Sequence, residues 1–218
     1  MTDRSVRCAI QLLIAIWLVA MAPAVDARRP TLLQRLRELI GINPRQAVGG
    51  SRGSRSMSVC LITPRLVGSR TTSSPTAVVS LPRPTLLIAG ELNEVRLEQD
   101  GQVLWQQRAS STRPITGPIA WPLPSLQPGE RLLLRLRPRG AAGGDFADVQ
   151  LRAGSANQQQ EALALLTDPS ARLQIIDSVA SKGRYGLASE LVYAPLPDPP
   201  KDLEILRQTL LSAGCSGS

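Results

Sequence analysis

Gly49-Gly50-Ser51-Arg52-Gly53 has the G-x-S-x-G spacing of a nucleophile elbow, in which a serine is strained onto a sharp strand-to-helix turn. That chemistry needs a histidine base beside the hydroxyl, and the 218-residue chain contains no histidine. No strand is expected ahead of the motif, so it reads as a chance match within a linker. The missing histidine also excludes Ser-His-Asp triads, His-ligated zinc and His-ligated haem. Ser178-x-x-x-Lys182 misses the S-x-x-K spacing that sets a serine and a lysine on one helical face, so Lys182 is read as a helix-terminal residue. There is no C-x-x-C, no P-loop and no dinucleotide fingerprint, and neither a cofactor nor a metal site is expected. Asp145, Asp148, Glu161, Asp168 and Asp177 are scattered; two of them could meet in the fold as an acid/base pair, but their spacing does not require it.

Two further groups of residues could act. Cys60 and Cys215 are the cysteines left once a leader is removed, and an exported protein meets oxidising conditions in which they could pair. The alternative is a buried Cys60 acting as a small apolar residue beside a separate Cys215. Nine arginines against Glu38 alone give residues 28–80 the whole formal charge of +8, while residues 81–218 are balanced. Arg45, Arg52 and Arg55 are thus candidates for contact with an anionic partner. The competing reading is arginine enrichment in a disordered segment. Nucleic acid is not an expected partner, because the arm has no aromatics to stack bases.

The elements that would position these residues begin with a leader. Residues 1–27 read as a secretory signal peptide: Arg4 and Arg7 precede the apolar run Cys8–Met21, and small residues allow cleavage after Ala24 or Ala27. The run is short for a membrane span, so no stable span is expected after cleavage, with an uncleaved anchor as the alternative. Residues 28–57 read as a basic Gly/Ser/Arg-rich linker carrying a short amphipathic helix, Leu32–Ile40.

Residues 58–153 read as strands. Ser58–Thr63 is apolar on both faces, as a buried strand would be. Glu94–Arg108 is a hairpin about Asp100-Gly101. A three-residue loop, Gln99–Gly101, would set Leu97 opposite Val103 and Val95 opposite Trp105, with all four on the core face. Ile119, Trp121 and Leu123 alternate between prolines, which confines that strand to an edge. Arg131–Arg137 turns Leu132, Leu134 and Leu136 inward. Ala147, Val149 and Leu151 do the same, and outward Asp148 would suit an outward arginine across the sheet. From Ser155 the apolar period becomes helical, giving helices near 156–166, 169–182, 185–192 and 203–211. The fold expected is α+β, a small antiparallel Ig-like β-sandwich (58–153) followed by a C-terminal helical segment (154–214).

The order of several weak motifs adds a resemblance. Gly49-Gly50-Ser51-Arg52-Gly53 and Cys60 are followed by Arg83-Pro84-Thr85, by Val95-Arg96-Leu97 with Gly101, by Leu126-x-Pro128-Gly129, and by Gly183-x-Tyr185 with a terminal Leu-Leu-x-x-Gly helix. Over roughly Arg45 to Gly214 this resembles a family of exported cyanobacterial proteins, the domain of unknown function 928. The family is aromatic in two strands where this chain has Leu86-Leu87-Ile88 and Leu132–Leu136, and it carries a second cysteine near the end of the latter. The resemblance implies export and a sandwich-plus-helices build, and no activity.

Together these features predict an exported, periplasmic or extracellular, non-enzymatic module that binds or scaffolds at the cell envelope. Its partner would be a protein or an anionic envelope component. The alternatives are a carboxylate-dependent envelope enzyme and an anionic-surface binder acting through the arginine arm.

Overall fold

The structure, a computed structural model, describes residues 46–49, 57–67 and 75–213. The signal peptide, the helix Leu32–Ile40, Arg45, Arg52, Arg55 and Cys215 lie outside the described residues. Within them the chain is α+β, two mostly antiparallel sheets followed by four helices. One sheet has the order β1 (Gln46–Gly49), β2 (Met57–Thr63), β5 (Leu86–Ala89), β8 (Pro118–Ile119). The other has the order β3 (Leu66–Val67), β4 (Thr76–Val79), β10 (Ala147–Ala153), β9 (Arg131–Pro138), β6 (Leu92–Gln99), β7 (Gln102–Arg108). The second sheet is mixed, which departs from the all-antiparallel expectation: β4 runs parallel to β10, with Ala77 beside Leu151 and Val79 beside Ala153. Parallel pairing needs a long crossover, and the strands between β4 and β10 supply it. β1 falls in the stretch expected to be linker, so a strand does run into Gly49, contrary to the sequence reading.

The apolar pattern of each strand reports how many of its faces are covered. Leu132, Leu134 and Leu136 of β9 and Ala147, Val149 and Leu151 of β10 are buried, with polar residues between them on the opposite face. They share one core with Val59 and Leu61 of β2, Leu86 and Ile88 of β5 and Ile119 of β8. The other face of β5 is covered too: Leu87 packs among the helices. This accounts for the uninterrupted apolar run of β5, in contrast to the alternation of β9.

The hairpin corrects the expected register. Asp100 (φ 51°) and Gly101 (φ 80°) both take left-handed conformations, the signature of a two-residue type I′ loop. Gln99 pairs with Gln102, Glu98 with Val103 and Leu97 with Trp105, leaving Leu104 as an extra residue on β7. The phase mismatch that seemed to demand a longer loop is absorbed by this bulge. Val103 is 49% exposed and does not face the core, because the bulge sets it opposite Glu98 on an edge strand and not opposite Leu97. The cross-strand pair expected for Asp148 is present: it faces Arg135, whose Nε donates to Asp148 Oδ1 at 3.0 Å. The proline-flanked strand is at an edge as expected, but it is only two residues long. Trp121 lies beyond it, its indole N–H donating to Pro124 O at 2.9 Å.

The helices are α1 (Ala156–Ala164), α2 (Arg172–Ser181), α3 (Tyr185–Tyr193) and α4 (Lys201–Ala213). Ser155 caps α1 in a capping box with Gln158. Asp168 accepts from the Ser170 and Ala171 N–H groups in a turn ahead of α2, and Gly183, at φ 75°, separates α2 from α3. On α4 Leu203, Leu206 and Leu210 are buried, while Ile205 and Leu211 are exposed, so its apolar face is narrower than its composition suggests. No helix among the described residues is long and apolar enough to cross a membrane.

Candidate functional site

Three places in the described chain concentrate polar chemistry. The first is the outer face of the six-stranded sheet. Glu94 is only 2% exposed there. Its carboxylate accepts from Arg96 Nε at 2.5 Å, from Arg137 Nη2 at 2.7 Å and from the Gln106 amide, with Arg108 Nε at 3.6 Å. Burial opposes its ionisation, but the hydrogen bonds from Arg96 and Gln106 and the charges of Arg96 and Arg137 prevail and hold its pKa below the ordinary value. Arg135 bridges Asp148 and Glu98, at 3.0 and 3.5 Å. The guanidinium carbons of Arg96, Arg135 and Arg137 lie 4.8, 4.7 and 5.9 Å from the centre of the Phe146 ring, the chain's only phenylalanine. Four arginines thus meet three carboxylates, and three of the four, Arg96, Arg135 and Arg137, share one aromatic cover. Glu94, held ionised, is a weak proton acceptor, and the array serves as a cross-strand mat.

The second place is the helical layer. Glu190 of α3 is 1% exposed and reaches back to the segment after β4. It accepts from Ser80 N at 2.9 and 3.0 Å and from Leu81 N at 2.7 Å. Burial pushes its pKa up to about 7, against the lowering effect of these N–H groups. Arg172 is 2% exposed and has no carboxylate partner among the described residues; its Nη1 donates to Leu191 O at 3.2 Å. Arg207 donates to Val192 O and Ala194 O at 2.8 and 3.2 Å. Two guanidinium groups therefore close the C-terminal carbonyls of α3, where the helix dipole favours positive charge. Burial first, then the charge of Arg207, lowers the Arg172 pKa.

The third place is a cleft of about 560 Å³ between the helix-facing side of β5 and β8, the segment after α3 and one face of α4. Leu87, Pro118, Ala120, Leu196 and Leu211 give it apolar walls, while Glu204 and Gln208 bring polar groups to its lining. Its other polar groups are occupied in holding the wall. Thr85 Oγ1 donates to Tyr193 O at 2.8 Å, and the Tyr193 hydroxyl donates to Arg207 O at 2.9 Å. Burial raises the Tyr193 pKa. The volume falls in the range of ligand-binding clefts.

The residues singled out from sequence are not brought together. Asp148 belongs to the mat, Glu161 pairs with Arg184 at 2.9 Å, and Asp168 caps a turn. Asp145 and Asp177 are also engaged. The cleft's acid is Glu204, which was not among them. Lys182 is the C-cap residue of α2, as expected. Among the described residues no group of three or more His, Cys, Asp or Glu side chains could hold a metal ion. Sequence reasoning missed Glu94, Glu190, Tyr193, Arg207 and Phe146. For Glu190 a signal exists: one acid stands among the apolar Leu187, Ala188, Leu191 and Val192.

Cys60 is buried on β2 and disulfide-bonded, and the other two cysteines, Cys8 and Cys215, lie outside the described residues. Cys215 is the expected partner. Leu211 and Leu87 line one cleft, and β5, which carries Leu87, adjoins β2. A digest of the unreduced mature protein is expected to yield Cys60 and Cys215 in one cross-linked peptide. Two free thiols would contradict the pairing. Closing a loop of roughly 150 residues stabilises by about 4–5 kcal/mol in the chain-entropy model, so reduction should lower the melting temperature.

No family model and no curated protein sequence matches the chain.

Proposed function

We propose that the chain is an exported module of the cell envelope, non-catalytic, with the build of an Ig-like sandwich backed by helices. Its role is to bind or scaffold a protein partner through the cleft between β5, β8 and α4. The observation that carries this reading is the wall chemistry of the cleft. Thr85, Tyr193 and Arg207 spend hydrogen bonds on one another's backbone and on α3, which fixes the wall and leaves an apolar surface with Gln208, and with Glu204 beside Arg207 Nη1 at 3.4 Å, to orient a guest. Such a surface suits an apolar segment of another protein better than a reacting substrate. Export rests on the leader-like residues 1–27. The arginine-held carboxylates of the outer sheet favour binding over acid/base work.

The test is a pull-down from the envelope fraction with the mature protein and with Leu211→Glu, a change at an exposed position that should leave folding intact. Recovery of a partner is expected to fall at least about ten-fold, an effect in the range of an interface anchor. Equal recovery with both proteins would overturn the cleft as the site. Loss on replacing Arg45, Arg52 and Arg55 by serine, changes that keep β1 and β2 in place, would instead move binding to the basic arm.

A further inference from the structure

Of the stretches outside the described residues, 50–56, 68–74 and 214–218 contain no Leu, Ile, Val, Phe or Met, and 1–27 is expected to be cleaved. Leu32–Ile40 is different. Leu32, Leu33, Leu36, Leu39 and Ile40 recur at the spacing by which one helical face fills an apolar groove. The cleft is such a groove, and Leu211 on its wall is 43% exposed.

We infer that in the free protein Leu32–Ile40 seats its apolar face in the cleft between β5, β8 and α4, and that a partner must displace it. The inference rests on the cleft as the binding site and adds its regulation. Chain direction is the first argument. Gln46, the first residue of β1, stands level with Cys60 of β2 and Ala89 of β5, and β1 runs from there toward Met57. The strand direction thus points the residues ahead of Gln46 toward the opposite end, where Thr63, Leu87 and Pro118 stand level with one another. Leu87 and Pro118 line the cleft. Leu87 is two strands across and two residues along from Gln46, about 12 Å, and Pro118 is one strand further, about 16 Å. The six peptide steps from Ile40 to Gln46 extend to about 20 Å, so Ile40 reaches both. β1 is an edge strand, so the chain gains the helix-facing side without crossing another strand.

Charge selects the same occupant. The wall stretch 196–204 gives Leu196, Pro197 and Glu204 to the lining and carries Asp198, Asp202 and Glu204 against Lys201, a net −2. Asp198 and Asp202 are exposed and have no ion-pair partner among the described residues. Residues 28–45 carry five arginines against Glu38, a net +4. A basic segment with an apolar face matches an apolar cleft with an acidic rim. A linker this short also holds the segment at an effective concentration on the order of millimolar.

Hydrogen exchange read by mass spectrometry on the mature protein tests the inference, with Leu36→Asp and Leu211→Arg beside the wild type. Leu211→Arg sets a cation in the cleft wall against the arginines of the segment, and a melting curve for each variant checks that it folds. The amides of 32–40 are expected to exchange at least about ten-fold more slowly in the wild type than in either variant. Exchange of 32–40 at the unprotected rate in the wild type, or protection that persists in a folded Leu211→Arg, would overturn the seating. In the envelope pull-down Leu36→Asp should recover more partner than the wild type, because a larger fraction of the protein has an open cleft. Equal recovery would overturn the displacement. No partner with any of the three proteins would overturn partner binding at the cleft and leave the exchange result to decide the seating.

Discussion

Replacing Glu190 by alanine is expected to cost about 2–4 kcal/mol of stability, because the N–H groups of Ser80 and Leu81 lose their acceptor inside the helical layer. Glu190→Gln keeps an acceptor and should cost less. The same carboxyl gives wild-type stability a pH dependence. Its folded pKa of about 7 lies above the ordinary value of 4.5, so between these values the folded state holds a proton that the unfolded state has released. Stability therefore falls as pH rises through that window, by about 1.4 kcal/mol per unit at most. Urea denaturation at several pH values checks this. Glu190→Gln should flatten the slope, and a slope unchanged in that variant would assign it to another group.

Glu94→Ala is expected to cost about 3–5 kcal/mol, the range for removing one partner from a buried ion pair. Arg96 and Arg137 lose their shortest contacts and stay together beside the Phe146 ring without the carboxylate that bridges them. The wild-type sign here is opposite to that of Glu190. A carboxyl held below its ordinary pKa contributes stability above that value and loses it as pH falls through the folded pKa. Acid unfolding below about pH 4.5 should thus begin earlier when the mat is weakened, for example in Phe146→Leu, which removes the ring that three guanidinium groups share. Melting curves from acidic to neutral pH would show it. A Glu94→Ala protein within about 1 kcal/mol of wild type would show that the mat is solvated decoration.

Period and turn chemistry made much of the fold legible. The alternation of β9 and β10, the buried run of β2, the capping box at Ser155 and the break at Gly183 are all local signals, and each element lies close to where those signals put it. The hairpin failed at the level of register, because phase was counted as though β7 had to present its apolar residues to a core. An edge strand is free to bulge and leave Val103 in water. The parallel pairing of β4 with β10 is a relation between segments about seventy residues apart, which no local pattern encodes. The site residues failed for a related reason. Glu190 stands out in sequence only as an acid among apolar residues, and it and Tyr193 acquire their roles by meeting Ser80, Leu81 and Thr85. Asp148 was legible because its partner lies across one strand boundary.

The anchoring of α3 also orders events in time. Ser80, Leu81 and Thr85 lie 108 to 110 residues ahead of the groups that satisfy them. A chain emerging from its N-terminus therefore presents the segment before β5, with its apolar Leu87, long before Glu190 and Tyr193 exist to cover it. The helix-facing side of the four-stranded sheet can close only when the last third of the chain has arrived, so its completion is a late, non-local step and a natural point of attack for a protease or a chaperone.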